Sequence, residues 1–278
     1  MSFLVHQPGP PLSAFVEYFY SPAGPMPYAA EKVMPAPCAD LKINFGDAFR
    51  AWRTGGGQAE VLRDSWCMGL WDEYHTVAWP AAPDYVGVRF RPGGAFAVLG
   101  VEAHELSNRV VALDAVMGRF AEEVRERLYE ANGPAARFLA LETLLTGAIR
   151  RWPDASRIAP ALKALADSHG HMHVGHLSSA AGISQKHLIT LFNRMIGVPP
   201  KTLARLYRLQ HVLDTVDIAR PVIWTEVAQD HLYFDQAHFN KDFKRFTGHP
   251  PGEYLALRRR IATETPDHAG HTRLLRAG

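Results

Sequence analysis

Apolar residues recur at the spacing of one helix face in two stretches that lie 51 residues apart. In each stretch they stand at positions i, i+4 and i+7, which places them on one side of an α-helix. Polar and basic residues occupy most of the positions between them. The pattern therefore predicts two short helices with one buried face each, formed by Leu188, Phe192 and Met195 and by Phe239, Phe243 and Phe246.

Each of these two helices has a start signal and a stop signal in the sequence. Ser184 and Asp235 stand just before the helices, and their side chains are able to accept hydrogen bonds from the free backbone N–H groups of the first turn. Gly197 and Gly248 stand at the ends, and prolines that cannot continue a helix follow two residues later. The identical spacing of these signals indicates a duplicated unit.

A second apolar segment precedes each capped helix, at residues 177–181 and 224–228. Two short helices joined by a tight turn form a helix-turn-helix, whose second helix fits a DNA major groove. Two ordinary helical hairpins of a bundle are the alternative. Between the units, the apolar positions of 201–216 predict a helix of about 16 residues, which at ~1.5 Å per residue spans ~24 Å and holds the units apart.

The sides opposite the apolar stripes carry residues that suit DNA. Positions near the amino end of each helix and one turn later are placed to meet base edges: Lys186 and Thr190 in the first unit, Gln236 and Asn240 in the second. Gln and Asn are able to bond an adenine edge through two atoms. The flanking residues are predicted to contact phosphates or lie beside the bases, and they are Gln185, Asn193, Arg194, Lys241, Lys244 and Arg245.

Charge is divided unevenly along the chain. Residues 160–261 carry 13 Lys and Arg against 8 Asp and Glu, whereas residues 1–159 carry 15 against 18. The positive balance coincides with the predicted helix-turn-helix units, where contact with phosphates requires it. A solvated basic face is the alternative.

These motifs resemble the paired helix-turn-helix domain of AraC-type transcriptional regulators. The resemblance rests on residues 177–203 and on residues 233–254, and it implies a sequence-specific DNA-binding regulator. The sequence departs from the family at Leu232, where a glycine usually forms the turn before the second recognition helix. This turn either holds a leucine at positive φ or is remodelled.

The amino-terminal part has a different pattern. Its first 30 residues are interrupted by prolines and indicate an opening strand or a short helix. Residues 33–100 predict strands between Gly- and Pro-rich turns, most clearly at 41–45 and 86–90, where apolar and polar positions alternate. We therefore predict an antiparallel barrel or sandwich over residues 1–112.

Segments 37–47 and 86–96 are similar to the amino-terminal sensing domain of one branch of AraC-type proteins. The resemblance implies a small, cupin-like β-rich module whose small-molecule effector it does not name. Aromatic residues in this part are candidates for the wall of an apolar ligand pocket, and the alternative is that they fill a small core. They are Trp52, Trp66, Trp71, Tyr74 and Trp79.

A helical pattern follows from residue 113 to residue 153. Phe120, Val124 and Leu128 form one stripe, and a second stripe begins at Phe138 after a turn around Pro134. The pair is equally well explained as a dimer interface, as in many AraC-type regulators, or as a cap on the β-rich part. A hinge at 153–156 then leads to the double helix-turn-helix domain at 157–261, and we expect 262–278 to be a disordered tail.

Histidines and cysteines offer two further chemistries. Four histidines lie close together without an acidic or cysteine ligand nearby, so we favour a solvated loop over a metal site; they are His169, His171, His173 and His176. Cys38 and Cys67 are candidates for a redox-sensitive thiol switch, but buried inert cysteines are more common.

Composition narrows the class of protein. The chain has 278 residues, 47% hydrophobic and 21% charged, which is enough for two cores. Two cysteines, no signal sequence and no apolar run of membrane length predict a cytoplasmic protein, and we expect neither a cofactor nor a metal. No nucleophile elbow or phosphate loop is present, so we do not expect an enzyme.

The sequence thus predicts an α+β protein of two domains, with an amino-terminal β-rich barrel or sandwich, a helical pair, and an all-α domain of two helix-turn-helix units joined by a long helix. The predicted function is transcriptional regulation. Expected partners are double-stranded promoter DNA, RNA polymerase, a small-molecule effector and a second copy of the chain. The alternative is a small-molecule-binding protein or enzyme built on the β-rich part, whose helical half mediates protein contacts.

Overall fold

Strands occupy the amino-terminal part of the chain, and one further strand lies near its carboxy-terminal end. The structure is a computed structural model that describes residues 2–24, 28–150, 154–264 and 274–276. Residues 41–45 and 86–90, predicted as strands, lie largely within β4 and β9. The strands are β1 (Ser2–His6), β2 (Val16–Ala23), β3 (Ala30–Val33), β4 (Ala39–Asn44), β5 (Phe49–Arg53), β6 (Glu60–Leu62), β7 (Ser65–Met68), β8 (His75–Ala78), β9 (Tyr85–Phe90), β10 (Val110–Ala112) and β11 (Leu274–Arg276).

The strands form two antiparallel sheets. One sheet has six strands in the order β1-β2-β9-β4-β7-β10, and the other has five in the order β11-β3-β8-β5-β6. Side chains from both sheets line a common cavity, so the sheets face each other as a sandwich. The predicted α+β class, with a β-rich amino-terminal part and a helical carboxy-terminal part, is confirmed.

Helices occupy most of the chain after residue 112. One helix was not predicted: Gly94–Leu99, within the stretch expected to be strands, is helical and wholly buried, with Gly93 and Gly100 at positive φ on either side. The helices are α1 (Gly94–Leu99), α2 (Leu113–Met117), α3 (Arg119–Glu130), α4 (Gly133–Ala148), α5 (Ala155–Asp167), α6 (Val174–Ala180), α7 (Gln185–Met195), α8 (Pro200–Thr215), α9 (Trp224–Asp230), α10 (Gln236–Thr247) and α11 (Pro251–Glu264).

The predicted helical pair is α3 and α4, and it packs on the six-stranded sheet. Phe138 stacks on His6 of β1 with ring centres 5.8 Å apart, and Glu142 accepts a hydrogen bond from the backbone N–H of Gly9 at 2.6 Å. The buried residues of the pair belong to the same apolar cluster as the sheet. This packing corresponds to the cap on the β-rich part, one of the two alternatives for the pair.

The ends of the helical part differ from expectation. The predicted hinge at 153–156 begins at a residue outside the described ones, and its last two residues already belong to α5. The expectation of a disordered tail over 262–278 is wrong in part, because α11 continues to Glu264 and β11 pairs antiparallel with β3. Strand pairing with a distant segment is a contact that local composition does not reveal.

Candidate nucleic-acid interface

The first helix-turn-helix unit consists of α6 and α7. Gly182 at φ +64° turns the chain between them, a backbone conformation that costs glycine little. The side chain of Ser184 then accepts a hydrogen bond from the backbone N–H of His187 at 3.2 Å, as the capping prediction requires. Leu188 and Phe192 are fully buried, so the face assignment of α7 is confirmed.

The second unit consists of α9 and α10 and has a longer turn. Asp235 caps α10 by accepting from the backbone N–H of His238 at 2.7 Å. Leu232 adopts φ +50°, the first of the two alternatives for the missing glycine. Two residues separate Leu232 from the cap, whereas a single residue separates Gly182 from Ser184. The turn of the second unit therefore keeps a residue in the left-handed conformation and is one residue longer than the turn of the first unit.

An aromatic core holds the second unit together. Phe239, Phe243 and Phe246 are at most 1% exposed. The ring centre of Phe243 lies 5.4 Å from that of Phe239 and 5.2 Å from that of Tyr254 on α11, and Trp224 of α9 stacks on Phe239. Offset and edge-to-face rings at these distances attract one another in addition to burying apolar area.

The helix between the units is anchored to the second recognition helix. The predicted helix over 201–216 is observed as α8, whose 16 residues span ~24 Å at ~1.5 Å per residue. Arg205 of α8 donates two hydrogen bonds to Asp242 of α10, from Nε at 2.8 Å and from Nη2 at 2.6 Å. The Asp242 carboxylate raises the pKa of Arg205 despite its partial burial. This bidentate pair fixes α10 against α8.

All four residues predicted to meet base edges lie on exposed helix faces. Lys186, Thr190, Gln236 and Asn240 are solvent-exposed. The hydroxyl of Thr190 also donates to the backbone carbonyl of Lys186 at 3.1 Å. Of the residues predicted to flank them, Asn193 and Arg194 are half-buried, and the exposed ones are Gln185, Lys241, Lys244 and Arg245.

Two of the predicted phosphate contacts have carboxylate partners in the amino-terminal part. Arg194 lies 3.4 Å from Glu102, and Arg245 lies 2.5 Å from Asp72. These arginines were assigned to phosphates because basic side chains on a recognition helix commonly take that role. In the fold, both arginines pair with carboxylates of the chain, so neither is left unpaired for a phosphate.

The β-rich part contains a cavity of about 570 Å³ between its two sheets. Lys42 of β4 extends into it, and its ammonium lies 5.3 Å from the ring centres of both Trp79 and Tyr85. Within the described part of the chain, no hydrogen bond or ion pair to this ammonium is formed. Burial lowers the pKa of Lys42, because the cavity solvates its charged form poorly.

Other polar groups around the cavity are also perturbed by burial. Burial raises the pKa of Glu31 to about 7, although the hydrogen bond from Tyr28 acts to lower it. Burial also lowers the pKa of His75 to about 3. The hydroxyl of Tyr85 and the indole N–H of Trp71 are buried without a hydrogen-bond partner among the described residues. Unpaired buried polar groups are costly, and a bound polar molecule would satisfy them.

A second charged pair lies at the cavity wall. Arg89 donates from Nη2 to Asp40 at 3.1 Å and from Nε at 3.2 Å. The carboxylate of Asp40 holds the pKa of Arg89 above its usual value although burial acts to lower it. Since these two charges cancel, Lys42 is the cation left without an ion-pair partner in the described wall.

Two of the five aromatic residues proposed for the pocket line this cavity, namely Trp71 and Trp79. Trp66 packs against Phe49 instead, and Trp52 and Tyr74 lie outside the cavity. Lys42 was not among the predicted pocket residues, because alternation along 41–45 places its apolar neighbours in the core and its own side chain in solvent. Both faces of the sheet are covered, one by helices and one by the second sheet.

The surroundings of Cys67 and of most of the histidines agree with the favoured predictions of a buried cysteine and a solvated loop, since His169, His173 and His176 are exposed. Cys67 is buried, which raises the pKa of its thiol to about 12, while Cys38 is half-buried at the cavity wall. His169 stacks on His211 of α8 with ring centres 3.9 Å apart, and His211 lies 4.8 Å from His231. Within the described ranges, no group of three His, Cys, Asp or Glu side chains is arranged to hold a metal.

Comparison with known proteins finds a family match in each part of the chain. Residues 4–112 match a domain of unknown function (DUF6597), and residues 177–257 match a helix-turn-helix domain. No curated protein matches the chain. Within the described residues, the chain has no helix of the length and apolar character needed to span a bilayer.

Several solved structures are distantly similar. ToxT from Vibrio cholerae O395 has 12% identity over 86% of this chain and 97% of its own, with a TM-score of 0.43. ToxT from Vibrio cholerae strain SCE256 with an unsaturated fatty acid bound has 11% identity over 92% and 95%, with a TM-score of 0.42. The AraC-like transcriptional activator CuxR has 12% identity over 70% and 72%, with a TM-score of 0.22. At these values the likeness carries no argument about a ligand.

Proposed function

From the AraC-type helix-turn-helix domain that this chain carries at residues 177–257, we propose that the protein is a transcriptional regulator whose two recognition helices bind adjacent major-groove segments of one DNA site. The observation that carries the proposal is the pairing of two capped helices, α7 and α10, each buried on one face and polar on the other. A single unit contacts only a few base pairs, so two units on one duplex give a longer site.

Each recognition helix presents its amino end to the groove. Lys186 and Thr190 of α7 and Gln236 and Asn240 of α10 are the proposed base contacts, because residues near the amino end of such a helix reach the bases first. Gln185, Asn193, Lys241 and Lys244 are the proposed phosphate or flanking contacts. They lie on the same helices, outside the buried stripes.

Selection of bound sequences from a random DNA library tests the proposal. We expect two conserved subsites about one helical turn apart, ~34 Å or ~10 base pairs. Affinity for the selected site falls steeply with salt, because binding releases counterions from phosphates. Recovery of no preferred sequence, with weak binding to all DNA alike, would support the alternative that the helical half mediates protein contacts.

The cavity of the β-rich part is the proposed effector site. Lys42 is a cation without an ion-pair partner among the described residues, in an aromatic-walled space, and Tyr85 and Trp71 add unpaired donors. This set favours a small molecule with an aromatic or other flat apolar body and a carboxylate or similar acceptor.

Melting curves with small aromatic carboxylates and their matched carboxamides test the effector proposal. A carboxylate of the right shape raises the melting temperature of the wild type but not that of Lys42→Met, and its carboxamide has a smaller effect. Equal shifts for Lys42→Met and the wild type would contradict the role of this lysine.

A further inference from the structure

The same repeat positions of both helix-turn-helix units contact the amino-terminal part. Arg194 and Arg245 are equivalent residues, 51 positions apart, and so are Gly197 and Gly248. Each arginine stands in the last turn of its recognition helix, and each glycine follows just after it. Each unit therefore contacts the amino-terminal part through the same corner, which we define as the arginine and the glycine at the end of its recognition helix.

The corner of the first unit rests on the segment after α1. Arg194 Nε lies 3.4 Å from a carboxylate oxygen of Glu102, and the Ser107 hydroxyl donates to the carbonyl of Gly197 at 2.6 Å. A side chain on Gly197 would overlap Ser107 and the backbone of Ala103. The backbones approach this closely because the glycine has no Cβ.

The corner of the second unit rests on the loop between β7 and β8. Arg245 Nη2 lies 2.5 Å from Asp72, and its Nε lies 3.8 Å from Glu73. A side chain on Gly248 would overlap the ring of Tyr74. Both units therefore make the same pair of contacts. An arginine pairs with a carboxylate, and a nearby glycine packs closely against a side chain, although the contacted residues of the amino-terminal part are unrelated in sequence.

The ends of the recognition helices that face DNA in the proposed function are not covered by these contacts. Gln236 precedes Arg245 by nine residues, which is ~14 Å along the helix, and Lys186 precedes Arg194 by eight, which is ~12 Å. Gln236 and Lys186 are solvent-exposed. Docking and base contact therefore use opposite ends of the same two helices.

We propose that the amino-terminal part is a brace that sets the separation and orientation of the two recognition helices on DNA. The brace consists of Asp72, Glu73 and Glu102, which hold Arg245 and Arg194. This inference rests on the proposed function. The three carboxylates are positioning residues: they touch no DNA, and each ion pair is partly exposed, so their effect lies in geometry rather than in affinity for one subsite.

Spacing preference distinguishes a brace from its alternatives. Binding to both subsites at once increases the affinity only when the protein holds its two recognition helices at the separation of the subsites on the DNA. That gain in affinity is about tenfold or more. Contacts that instead held the protein closed against DNA would strengthen binding when removed. If the arginines instead contacted phosphates, replacing them would lower the salt dependence of DNA binding.

The test uses the full chain, the selected DNA site and the same site with its subsites moved apart by about three base pairs, roughly a third of a turn. The test variant is Asp72→Asn/Glu73→Gln/Glu102→Gln. The matched control, Asp47→Asn/Glu122→Gln/Glu126→Gln, makes the same charge change at exposed acids of the first 130 residues that have no ion-pair partner among the described residues.

We expect the wild type and the control to prefer the selected spacing by about tenfold, and the test variant to lose most of that preference while binding a single subsite unchanged. Arg194→Gln/Arg245→Gln reproduces the loss with an unchanged salt slope. Tighter binding by the test variant, an unchanged spacing preference, or a lower salt slope for the arginine variant each overturns the brace. A wild type that selects no DNA sequence overturns the proposed function itself.

Discussion

Replacing Asp242 with alanine should destabilise the DNA-binding part more than the loss of an ordinary ion pair. The carboxylate of Asp242 is 6% exposed and accepts two hydrogen bonds from Arg205, whose side chain is 18% exposed. Removing one partner of a fully buried pair costs about 3–5 kcal/mol, because the other charge remains without compensation. Since water reaches part of Arg205, we expect about 3 kcal/mol, the lower end of that range.

Urea denaturation followed by circular dichroism measures the loss. The control is Asp167→Ala, which removes an exposed i,i+4 pair with Lys163 and should cost less than about 1 kcal/mol. The double variant Arg205→Met/Asp242→Leu should recover much of the stability, because neither charge is then left alone. If Asp242→Ala unfolds at the same urea concentration as Asp167→Ala, the anchoring of α10 to α8 contributes little and this reasoning is wrong.

Three further predictions concern the same domain. Leu232→Gly should stabilise the protein by about 1 kcal/mol because it relieves a leucine at φ +50°, and Gly182→Ala at φ +64° should destabilise it by a similar amount. Phe243→Ala should cost about 3–5 kcal/mol, whereas exposed Lys244→Ala should leave thermal melting unchanged and weaken DNA binding for all sequences alike. Burial lowers the pKa of His231 from 6.5 to about 4, so the unfolded chain takes up the proton first. The free energy of unfolding should then fall as pH drops from 6.5 towards 4, and His231→Leu should make that fall smaller.

Each of these has a result that contradicts it. Leu232→Gly with a lower melting temperature would show that the leucine side chain contributes packing that its exposure does not reveal. An unchanged melting curve for Phe243→Ala would mean that the buried face of α10 is misassigned. The same pH dependence in His231→Leu would assign the acid sensitivity to other groups.

The sequence predicted those features whose cause is local. Caps at Ser184 and Asp235 follow from side-chain oxygens next to free N–H groups, and the period of apolar residues locates the buried faces of α7 and α10. The missing glycine at Leu232 was visible as a departure, and the structure shows how the turn accommodates it. Gly94–Leu99 was missed because a helix buried on all sides has no polar face to reveal its period.

What the sequence could not predict depends on contacts between distant segments. Lys42 lies in an alternating strand like many surface lysines, and only the second sheet turns its side into a cavity wall. Arg245 lies 173 residues from Asp72, and no spacing rule links them. The pairing of Arg205 with Asp242 joins two helices whose separate patterns are complete without it.

Footprinting of the wild type and of Gln236→Ala on the selected DNA site tests the central claim most directly. Gln236 is exposed at the amino end of α10, where a side-chain amide is able to bond an adenine edge through two atoms. We predict two protected segments about one helical turn apart, a loss of about 1–3 kcal/mol of binding free energy for the variant, relaxed preference at one base position and an unchanged salt slope. Weakening that is the same for every base substitution, or protected segments that are not one turn apart, would contradict the assignment of α10 as a helix that recognises bases.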